Sequence, residues 1–76
     1  MSNTSQELLA LFARLDAALD VRRRLLARQQ AMIDEWKQTG VRSDPFEWAY
    51  VRDSVPINRQ TIVALRDEIT KLQVAQ

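Results

Sequence analysis

The chain of 76 residues contains no cysteine, no histidine and only one glycine. It therefore lacks the strongest protein nucleophile, the usual base near neutral pH and the ligands of most structural metal sites. A single glycine also excludes a glycine-rich phosphate-binding loop. These absences argue against an enzyme, and we expect no cofactor and no metal site.

Strong net charge and long apolar runs are absent as well. The 11 basic and 10 acidic residues leave a net charge of +1, which creates no long-range attraction for nucleic acid. No apolar run approaches the length of a membrane span, and the first four residues lack the basic flank and apolar core of a secretory signal. We expect a single cytoplasmic domain over residues 1–76, without a membrane partner or a small-molecule substrate.

Helical periodicity is the main positive signal in the chain. Between Asn3 and Thr39 there is neither glycine nor proline, and apolar residues recur at steps of three and four, which places them on one helix face. A second run keeps the same rhythm. The predicted seam comprises Leu8, Phe12, Leu15, Leu19, Leu26, Ile33 and Trp36, then Trp48, Val51, Val55, Asn58, Ile62, Leu65, Ile69 and Leu72. The pattern predicts an all-α antiparallel helical hairpin.

Local signals place the ends of the two helices. Gly40 can adopt the left-handed conformation that ends a helix. Asp44 is the predicted N-cap of the second helix, Pro45 its first residue, and Glu47 the residue that completes a capping box. We predict a long helix over about 4–39, a tip over 40–43 and a second helix over about 44–74, kinked or broken near Pro56.

Folding the chain at the tip pairs seam residues whose numbers add to about 84. This register places Trp36 opposite Trp48 and Leu26 opposite Asn58. Three polar residues interrupt the seam, namely Arg22, Gln29 and Asn58. They either fix the register of the hairpin or lie at the edge of the seam.

The hairpin has more apolar surface than it can bury alone. In a compact globule of this mass, burial of apolar surface would only just offset a chain-ordering cost of ~1.5 kcal/mol per residue, and an elongated hairpin buries less. The chain has no cysteine for a disulfide and no Cys/His cluster for a structural metal. We therefore expect a homodimer of the four-helix type. The predicted dimer face is a stripe of small apolar residues, Leu9, Ala13, Ala17 and Val21.

Aromatic residues concentrate around the tip. Trp36 and Trp48 lie on the seam, where ordinary packing explains them. Phe46 and Tyr50, in line with Ile57, lie off the seam, so they either contact another chain or are covered by other tip residues, Val41 and Pro45. The predicted partner-binding residues are Phe46, Tyr50, Trp48, Trp36, Ile57 and Arg42.

One cluster of basic residues is also a candidate site, formed by Arg22, Arg23, Arg24 and Arg28. It is either a patch for the phosphates of RNA or DNA or a solvated helix face balanced by Asp16 and Asp20.

Three hypotheses for function follow. The first is a non-enzymatic homodimeric hairpin that binds and modulates another protein, as an inhibitor, a sequestering factor or a chaperone, for example a phage or bacterial regulator. The second is an RNA- or DNA-binding hairpin dimer that uses the Arg22–Arg28 patch. The third is a structural subunit of a larger helical assembly.

Overall fold

The computed structural model describes residues 3–75 as two long α-helices packed side by side. Helix α1 spans Asn3–Thr39 and helix α2 spans Pro45–Ala75. The molecule measures 58 × 16 × 14 Å, and this length agrees with the ~55 Å expected for the 37 residues of α1. The predicted antiparallel helical hairpin is confirmed, and each helix end lies within one residue of its prediction.

The tip follows the local signals in the sequence. Gly40 has a φ of 73°, which residues with side chains rarely adopt, and its N–H donates to the Trp36 carbonyl oxygen at 2.8 Å. The Asp44 carboxylate accepts a hydrogen bond from the Phe46 N–H at 2.9 Å, which confirms Asp44 as an N-cap. The predicted role of Glu47 in a capping box is wrong, because its carboxylate pairs with an arginine of α1.

Helix α2 continues through Pro56 without interruption, so the predicted alternative of a broken helix is wrong. Proline removes one backbone hydrogen bond. The helix is nevertheless held against α1 on both sides of that position, by Val51 before it and Ile62 after it, and both side chains are buried. Pro56 itself is exposed, so its ring leaves the contact between the helices undisturbed.

The face that α1 turns toward α2 differs from the predicted seam by one residue. The buried side chains are Leu11, Ala18, Leu25 and Met32 on α1 and Val51, Ile62, Leu65 and Ile69 on α2. The predicted α1 seam is therefore wrong at Phe12 and Leu26, which remain exposed, and right at Leu8, Leu15 and Leu19, which pack against the core. The stripes through Leu25 and Leu26 have the same seven-residue repeat and lie about 100° apart on α1, and the stripe through Leu25 is the more deeply buried of the two.

The register agrees with prediction at the tip, and the middle of the hairpin adds a polar contact that was not predicted. Trp36 and Trp48 form the predicted pair, with ring centroids 6.1 Å apart and ring planes at 85°. Asn58, predicted opposite Leu26, lines a cleft with it and donates from Nδ2 to the carbonyl oxygen of Ala18 at 3.0 Å. Since Ala18 has only a methyl side chain, the Asn58 amide can reach the backbone of α1, and this cross-helix bond supports a register role for Asn58.

Candidate protein-binding surface

Three of the exposed apolar side chains of α2 lie on one side of the helix, and we call Phe46, Tyr50 and Ile57 the outer stripe. Phe46 is 83% exposed, and the other two are more than half exposed. Their spacing of four and seven residues aligns them along one side of the helix. Val41 is exposed too, so the alternative in which Val41 and Pro45 cover these aromatics is wrong.

The other three predicted partner-binding residues pack against one another at the tip of the hairpin. The guanidinium carbon of Arg42 lies 5.0 Å from the ring centroid of Trp36 and 5.3 Å from that of Trp48. Both distances are typical of cation–π contacts, and the two rings also pack edge to face. Intramolecular contacts therefore engage Trp36, Trp48 and Arg42, whereas the side chains of the outer stripe remain mostly exposed.

An ion pair that was not predicted from the sequence joins the two helices beside the outer stripe. The Arg28 Nε donates to Oε1 of Glu47. This hydrogen bond lowers the pKa of Glu47 from its ordinary value and raises the pKa of Arg28 further. The pair positions the first turn of α2 against the middle of α1.

The depressed pKa of Glu47 predicts a specific loss of stability in acid. A carboxyl group with a lower pKa in the folded chain stabilises the fold above its unfolded pKa, about 4.3, and this contribution disappears as the pH falls through the folded pKa. We expect wild type to have a larger free energy of unfolding than Glu47→Gln at neutral pH. This difference should vanish in acid, and urea unfolding of both proteins from neutral to acidic pH measures it.

The matched control for this measurement is Glu68→Gln. It removes an exposed carboxylate of α2 for which the described residues 3–75 provide no basic side chain within 4 Å. A Glu47→Gln difference that stays constant from neutral to acidic pH would contradict a stabilising role for the ion pair.

The predicted basic patch is largely paired with carboxylates. Asp20 binds Arg23 at 2.6 Å and Arg24 at 2.7 Å, and Arg28 binds Glu47. The alternative in which Asp20 balances the patch is therefore confirmed at these two arginines. Arg22 lies apart from them, beside a cleft on the other flank of the hairpin.

The predicted dimer face is exposed along its whole length, at Leu9, Ala13, Ala17 and Val21. Steps of four residues exceed one helical turn, so this stripe winds around α1. Its last member, Val21, borders a cleft of about 310 Å³ together with Tyr50 and Arg28. The structure thus places one end of the predicted dimer face next to the outer stripe.

Neither α1 nor α2 contains an apolar segment of the length that crossing a bilayer requires. Within residues 3–75, no three acidic side chains gather into a potential metal site.

Nothing matches the chain among the family models, the curated proteins or the solved structures with which it was compared. The support for each candidate surface therefore comes from its geometry alone.

A further surface, which was not predicted from the sequence, lies on the flank of the hairpin that carries Leu26. We call it the arginine groove: a cleft of about 130 Å³ lined by Leu26, Val55 and Val63 and by Arg22, Arg59 and Arg66. Arg52, Arg59 and Arg66 recur every seven residues, which places them on one side of α2. That repeat was the signal in the sequence that could have revealed this surface.

Proposed function

We propose that this protein is a non-enzymatic interaction module, a homodimeric helical hairpin that binds another protein and inhibits, sequesters or chaperones it. The outer stripe is the observation that carries the proposal. Exposed apolar side chains grouped on one side of a helix are typical of interaction surfaces. Aromatic residues are also among the commonest anchors at protein interfaces.

The total surface of the chain supports association with another molecule. The hairpin has an accessible surface of 5911 Å². A compact monomer of its mass, 8.8 kDa, would expose about 4,800 Å² by the usual size scaling. The excess of about 1,100 Å² is larger than the ~800 Å² that each partner contributes to a standard interface.

The proposal assigns self-association and partner binding to two different surfaces. The stripe from Leu9 to Val21 packs against a second copy, because small side chains allow two helices to approach closely. The outer stripe then anchors the partner protein, with Phe46 and Tyr50 entering its surface. Since Val21 adjoins Tyr50, dimerisation along α1 ends beside the partner-binding residues, and occlusion of the partner's surface is the proposed mechanism.

The geometry gives less support to binding of RNA or DNA. Three of the four arginines in the predicted patch already have carboxylate partners, which reduces the positive charge they present to phosphates.

The remaining hypothesis is a structural subunit of a larger assembly. Such a subunit would form particles larger than a dimer as its concentration rises, and light scattering would detect them.

Removing the two aromatic anchors tests the proposed function. We expect Phe46→Ala combined with Tyr50→Ala to reduce partner capture at least about tenfold, because interface anchors often contribute 2 kcal/mol or more. The measurement is quantitative mass spectrometry of proteins retained by the immobilised chain from lysate of its native host.

Val74→Ala is the control, since it shortens another exposed apolar side chain of α2 and should retain the same proteins as wild type. Helicity and oligomer size should be unchanged in all variants. If the double variant retains the same proteins, the outer stripe does not bind the partner. If it dissociates the dimer instead, these aromatics serve self-association.

A further inference from the structure

The arginine groove lies on the flank opposite the cleft that Val21 and Tyr50 share, and we propose that it binds an acidic amphipathic helix of a partner protein. This inference goes beyond the proposed function, because it assigns a second docking surface with a different chemistry from that of the outer stripe. The floor of the groove, its rim charges and its spacing each support the assignment.

The floor of the groove lies between two helices and consists of apolar side chains together with the amide of Asn58. Leu26 comes from α1, and Val55 and Val63 come from α2. On α1 the stripe that contains Leu26 also includes the exposed Phe12 and the half-buried Ile33, while Leu19 of the same stripe packs against the core. A groove of this kind accepts the apolar face of a third helix, whose side chains pack between those of the first two.

The rim of the groove is positive and lacks acidic partners. Among residues 3–75, no carboxylate lies within 4 Å of the guanidinium groups of Arg22, Arg59 or Arg66, whereas Arg23, Arg24 and Arg28 are all paired. Guanidinium groups bind carboxylates through directed, charge-assisted hydrogen bonds. A partner that brings carboxylates to this rim would supply the missing counter-charges.

The spacing of the rim favours a helix as the partner. Arg59 and Arg66 are separated by seven residues, about 10.5 Å along α2, or two helical turns. Acidic residues seven apart on a partner helix have the same spacing, with leucine-like side chains between them facing the floor.

A second copy of this chain is a poorer occupant for the groove. In a two-fold contact the same patch is used by both copies, so Arg22, Arg59 and Arg66 of both copies would lie within one interface. Like charges brought together in this way oppose association. A nucleic acid could use the rim, but its phosphates would leave the floor of Leu26, Val55 and Val63 without a partner.

A pair of synthetic peptides tests the inference. Each is an amphipathic helix of about four turns, long enough to span Arg59 and Arg66, with leucines on one face flanked by glutamates in one peptide and by lysines in its twin. Binding of the labelled peptides to the full chain is measured by fluorescence anisotropy. We expect the glutamate peptide to bind at least about tenfold more tightly than the lysine twin, a difference of 1.4 kcal/mol.

Two charge-reversed variants locate the contact. Arg59→Glu with Arg66→Glu should weaken binding of the glutamate peptide at least about tenfold. The matched control, Arg23→Glu with Arg24→Glu, makes the same change in net charge away from the groove and should weaken it less than about threefold. Circular dichroism confirms folding of each variant, and the milder Arg59→Gln with Arg66→Gln replaces the first variant if that one unfolds.

Four results would overturn the inference. They are undetectable binding of the glutamate peptide, equal weakening by the two charge-reversed variants, loss of the chain's own dimer in the Arg59/Arg66 variant, and displacement of the peptide by an RNA oligonucleotide at matched concentration. The dimer result would assign the groove to a second copy, and the RNA result would assign it to nucleic acid. The Phe46/Tyr50 double variant should still bind the peptide, which separates this test from that of the proposed function.

Discussion

Leu65→Asp is expected to unfold the hairpin. Leu65 is 4% exposed and packs with Ile62 and Ile69 in the core. The substitution removes a buried leucine side chain, which costs about 2–5 kcal/mol, and leaves a carboxylate without a partner in apolar surroundings. A chain of this length has a total stability of about 4–11 kcal/mol, so the helical circular dichroism signal and the cooperative melt should both disappear.

Val74→Asp is the matched control for this substitution. Val74 lies on the same helix and is 80% exposed, so the introduced carboxylate stays in water. We expect the stability to change by about 0.5 kcal/mol or less, as is usual for surface positions. A Leu65→Asp protein that melts cooperatively at the wild-type temperature would contradict the position of Leu65 in the core.

Leu25→Ala is expected to destabilise the protein much more than Leu26→Ala. The two substitutions delete the same atoms from neighbouring residues, but Leu25 is 8% exposed and Leu26 is 40% exposed. The cavity at Leu25 should cost about 2–5 kcal/mol, whereas the loss at Leu26 should be about 1 kcal/mol or less because water already reaches it. Chemical denaturation of both variants measures the difference.

This comparison distinguishes the two faces of α1 that could pack against α2. Equal losses, or a larger loss at Leu26, would show that the stripe through Phe12 and Leu26 faces α2, as the sequence pattern predicted. A larger loss at Leu25 supports the core described above, and it leaves Leu26 available in the arginine groove.

Most of the hairpin was predictable because its signals are local. The positive φ of Gly40 and the Asp44 cap depend on residues within one turn of each other, and only one apolar stripe of α2 runs along the whole helix. Helix α1 was harder to predict, because the stripes through Leu25 and Leu26 have the same period. Periodicity identifies an apolar face, but the rotation of that face is decided by packing against the other helix.

The candidate surfaces were predictable only in part for the same reason. Phe46 and Tyr50 fall off the seam of α2 in the sequence, so their exposure could be expected. The ion pair between Arg28 and Glu47 joins residues 19 positions apart and depends on the register of the hairpin. Arg59 and Arg66 gain significance only once the apolar floor beside them is known.

Sedimentation velocity at micromolar concentration is the decisive test of whether one hairpin exposes more apolar surface than a lone chain tolerates in water. We predict the mass of a dimer, and we predict that Leu9→Glu combined with Val21→Glu shifts it to a single chain, since both substitutions place charge on the proposed dimer face. A single-chain mass for the wild type at micromolar concentration, together with a cooperative thermal melt, would contradict the proposed association.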